Sequence, residues 1–63
     1  MPPDRSELSS IAELLDQLTT RITAMAEAVY AQKEDNAASE LFAIERTLRG
    51  ASRRLERVIA PKR

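Results

Sequence analysis

Leu8, Ile11, Leu15, Leu18, Ile22, Met25 and Val29 follow one another at alternating steps of three and four residues. That spacing gathers side chains on one side of an α-helix, whereas a strand needs a repeat of two. The same alternation returns at Leu41, Ile44, Leu48, Ala51, Leu55 and Val58 in a different heptad phase. The chain therefore reads as all-α, with two coiled-coil-like seams. Ala12, Leu14, Ala26 and Tyr30 widen the first seam toward the broader apolar face that bundle helices present.

Punctuation sets the expected bounds. Pro2-Pro3-Asp4 and then Ser6 or Ser10 mark a helix start, Ser10 standing three residues before Glu13 in capping-box spacing. Residues 1–6 are expected to be a flexible N-terminal segment, with helix 1 over about 7–32. The polar run Gln32-Lys33-Glu34-Asp35-Asn36 places a turn at about 33–36, where Asp35 or Asn36 can cap a second helix over about 37–60. Pro61 stops that helix and leaves residues 61–63 as a short basic end.

The turn holds neither Gly nor Pro, so one continuous helix competes with a hairpin. Folding the chain back near Glu34 sets Val29 beside Leu41, Met25 beside Ile44, Ile22 beside Leu48, Leu18 beside Ala51, Leu15 beside Leu55 and Ile11 beside Val58. Every layer finds an apolar partner, which favours an antiparallel two-helix hairpin spanning residues 7–60.

A 63-residue chain buries only about 60% of its unfolded surface, so something must reinforce its core. With no Cys and no His, disulfides and the usual metal ligands are absent, and self-association remains. Two helices leave half of each broad apolar face in water. Pairing of two hairpins into a four-helix bundle covers it, and a two-fold homodimer is the commonest closed form. Its expected core is Leu8, Ile11, Leu15, Leu18, Ile22, Met25 and Val29 with Leu41, Ile44, Leu48, Leu55 and Val58. No apolar run approaches the roughly 20 residues needed to cross a bilayer, and the N-terminus has no secretory pattern. A cytoplasmic protein without membrane contact is the expectation.

Catalysis usually requires a nucleophile beside a base, paired carboxylates in a cleft, or a metal. Lacking His and Cys, and with Gly50 as its only glycine, the chain offers no such set and no phosphate-cradling loop. It is expected not to be an enzyme and to hold no cofactor or metal.

The 10 basic and 10 acidic residues balance, but unevenly along the chain: residues 46–63 hold seven of the basic residues and only Glu56 of the acidic ones. At helical spacing Arg46, Arg49, Arg53 and Arg57 form one stripe, with Gly50 within it and Phe42 at its edge. Arginine forks grip carboxylates or phosphates, an exposed aromatic ring anchors a partner, and glycine admits a close approach. The plainer reading is a solvated face, its charges neutralised by Glu13 level with Arg57 and Asp16 level with Arg54. Arg46 and Arg49 lie level with Thr23, Thr20 and Arg21 and find no acid there. The leading expectation is a small regulatory or adaptor protein that docks an acidic protein partner through Phe42, Arg46, Arg49, Arg53 and Arg57. Alternatives are nucleic-acid binding through Arg46, Arg49, Arg53, Arg54 and Arg57 of both protomers, and a subunit of a hetero-oligomeric helical assembly.

Overall fold

The computed structural model describes residues 5–60. It contains two α-helices, α1 (Arg5–Ala31) and α2 (Asp35–Ile59), packed against each other along their length. The continuous helix does not form; the chain is an all-helical hairpin. Residues 1–4, expected to be flexible, and the basic end 61–63 lie outside the described residues. α1 is helical from Arg5 and takes both Ser6 and Ser10 into its span.

The reversal is tighter than the polar run suggested, and a helix-terminating motif explains why. Lys33 adopts a left-handed backbone at φ 65°. Its N–H donates to the Tyr30 carbonyl at 2.9 Å, while the Glu34 N–H donates to the Val29 carbonyl at 3.0 Å. These are the two reverse bonds of a Schellman ending, with Lys33 where glycine is usual. Glu34 then does double duty. Its carbonyl accepts from the Ala38 N–H at 3.0 Å and so opens α2, although no side-chain oxygen caps that helix. The N-cap is thus Glu34, in place of Asp35 or Asn36, because the left-handed residue turns the chain within three positions.

At the open end the Arg5 guanidinium donates to the Ile59 carbonyl, and the Ala60 N–H closes α2 on the Glu56 carbonyl at 2.8 Å. Midway, Ser52 donates to Asp16 at 3.3 Å.

The line along which the helices meet differs from the expected seam pairing. Buried positions are Ala12, Thr19 and Ala26 on α1 and Ala38 on α2. Half-buried Glu45, Ser52 and Ile59 continue the α2 line at heptad spacing. On α1, and at Ala38 and Ser52 of α2, small side chains occupy the contact because they let two backbones approach, whereas Ile11 against Val58 or Met25 against Ile44 would hold them apart. Thr19 fits because its hydroxyl donates to the Leu15 carbonyl of its own helix at 2.7 Å, which leaves its methyl for packing.

Candidate functional site

This shift of contact line divides the hairpin into two unlike faces. Ile11, Leu18 and Met25 each precede a residue of the α1 contact line, and Ile44, Ala51 and Val58 each precede one of the α2 line. In an antiparallel pair, an equal rotation from the contact line in both helices leads to the same side. All six therefore share one face, with Leu14 at its margin. Ile11, Leu14, Leu18, Met25, Ile44 and Val58 are between 43% and 57% exposed, which is far too much water contact for a finished core. Between this face and the contact line stand the half-buried Leu8, Leu15, Ile22, Val29, Leu41, Leu48 and Leu55.

Whole-molecule dimensions agree. The hairpin measures 48 × 20 × 16 Å with a radius of gyration of 14.6 Å, against about 11 Å for a compact fold of this length. Its accessible surface is 5280 Å², whereas a compact 7.1 kDa protein exposes about 4,100 Å². The excess, about 1,200 Å², is what an elongated two-helix body exposes beyond a compact one of the same mass.

The opposite face is polar. Asp16, Thr19, Thr20, Arg49, Ser52 and Arg53 line a shallow open cleft there. Of the stripe residues, Arg46, Arg49, Arg53 and Arg57 are all exposed, as is Arg54 beside them, and Phe42 is half-buried at the edge of the contact line. Arg49 is not the acid-free position expected from its level on α1. Its Nε donates to the Glu45 carboxylate at 2.6 Å, one turn earlier on the same helix. The signal was present as a Glu–Arg pair four residues apart, whereas matching levels across the hairpin looked only at α1. The neutralising pairs expected between Glu13 and Arg57 and between Asp16 and Arg54 do not form; Asp16 accepts from Ser52 instead. Arg46, Arg53, Arg54 and Arg57 have no carboxylate partner among the described residues. Arg53, Arg54 and Arg57 surround a second shallow depression floored by Thr47, Gly50 and Ala51. A Cβ built on Gly50 would meet only the end of Arg53 at 3.9 Å, so nothing within the hairpin demands glycine there.

Among the described residues no helix is long and apolar enough to cross a membrane. No protein-family model, curated protein or solved structure matches the chain.

Proposed function

We propose that this chain is a small, non-enzymatic, cytoplasmic regulatory or adaptor protein that works by protein–protein contact. Two copies pair through their apolar faces into a four-helix bundle, and the outward polar faces present arginines to an acidic protein partner. The observation that carries the first half is the half-exposed row of Ile11, Leu14, Leu18, Met25, Ile44 and Val58. Covering a half-exposed aliphatic side chain is worth about 1 kcal/mol. Twelve of them per dimer, with the flanking leucines, offset an association cost of about 4–15 kcal/mol.

The second half rests on Arg46, Arg53 and Arg57, which stand exposed without a carboxylate beside a glycine that the hairpin does not need. An acidic helix laid along this side of α2 satisfies those guanidinium groups and uses the room at Gly50.

Affinity capture with the wild-type protein and with an R46A/R53A/R57A variant of equal mass and helicity tests this half. The wild type is expected to retain an acidic protein that the variant does not. A short DNA duplex titrated as a control separates the nucleic-acid reading. Tight binding that falls steeply with added salt and vanishes in the variant would replace the acidic protein with nucleic acid.

A further inference from the structure

We infer that the two hairpins pair with their turns at opposite ends of the bundle, so that α2 lies along α2 of the second copy and α1 along α1. This rests on the pairing proposed above and adds its geometry. Two face-to-face arrangements have two-fold symmetry and antiparallel neighbours. In one the turns lie together and α2 runs along α1 of the second copy. In the other the turns lie apart and like helices meet.

Charge distinguishes them. Residues 35–45 carry Asp35, Glu40 and Glu45 and no base, whereas residues 46–59 carry five Arg and only Glu56. With the turns apart, the basic half of each α2 runs over the acidic half of the other, twice in the dimer. With the turns together, the acidic half of α2 runs level with residues 24–31 of α1, whose one charge is Glu27. Acid would then lie over acid, and the arginine-rich half would face Glu13, Asp16 and Arg21 with little net attraction. Charges at this spacing act over about 8–10 Å at physiological salt, so those at the rim of the apolar face decide the outcome.

The rim on α2 is formed by Glu40, Thr47 and Arg54, each one residue before Leu41, Leu48 and Leu55 and spaced by seven. A two-fold axis beside Thr47 brings Glu40 of each copy to Arg54 of the other. The same axis sets Leu48 against Leu48, Leu41 against Leu55 and Ile44 against Ala51, so that a large side chain meets a small one. The Asp16–Ser52 bond sets Leu48 level with about residue 20 of α1, so the same axis crosses α1 between Leu18 and Ile22.

The test is a distance between spin labels at Ala31→Cys, in a chain that has no other cysteine. Ala31 is exposed at the end of α1, away from the apolar face. Turns apart predicts about 35 Å between the two labels, and turns together predicts less than about 20 Å. Charge reversal gives an independent readout. Arg54→Glu and Glu40→Arg should each weaken the dimer about tenfold, and the double variant should recover most of the loss. A dimer with the short distance, or a double variant no better than the singles, would overturn the orientation and leave the pairing standing. A monomer at all concentrations would remove the pairing itself.

Discussion

Lys33 and Gly50 occupy each other's usual places. Lys33 holds the left-handed position that ends α1, at a cost of roughly 1 kcal/mol for a residue with a Cβ. Lys33→Gly is expected to stabilise the hairpin by about 0.5–1 kcal/mol, raising the melting temperature by a few degrees in a circular-dichroism melt at fixed concentration. An unchanged or lower value would mean that the lysine side chain contributes more to the turn than its backbone costs. Gly50 sits in mid-helix with open space around its missing Cβ, so Gly50→Ala should add about 0.8–1 kcal/mol in the same assay. If that variant is more stable yet retains less of the acidic partner, the glycine serves the docking surface.

At the scale of the helices, their number, type and approximate ends were legible in the sequence because the three-four alternation admits no strand and the polar run 32–36 interrupts it. The line of contact was less so. Ala12, Thr19 and Ala26 are as regularly spaced as Ile11, Leu18 and Met25, and hydropathy ranks the larger residues as the core. Two adjacent lines on one helix compete for the partner helix. The smaller line wins inside the hairpin because close backbone approach needs small side chains, and the larger line is left for the outside. The tight turn was hidden for a related reason, since Lys33 lies in a left-handed conformation that its residue type disfavours. For the polar surface, the stripe was legible and its pairing was not: matching levels across helices overlooked the Glu45–Arg49 pair along one helix. The contact line makes its own prediction. Ala26 is fully buried, so Ala26→Leu should overpack the seam and cost about 1–3 kcal/mol, seen as a lower thermal midpoint. Leu14→Ala, on the open face, should leave the hairpin intact and weaken only its pairing.

Taken whole, the molecule is a slab 16 Å thin with one apolar face and one polar face. Its stability is expected to depend on concentration, because the apolar face is covered only on pairing. Leu18→Asp places a charge at the centre of that face and should abolish pairing, with helicity falling as the dimer is lost.

The most direct measurement is the solution mass by light scattering across a dilution series, with far-ultraviolet circular dichroism on the same samples. A mass of twice 7.1 kDa, with high helicity that falls only as the dimer dissociates, is the predicted result. A 7.1 kDa species that stays fully helical at every concentration would show that the hairpin is stable with its apolar face in water, and would contradict the account.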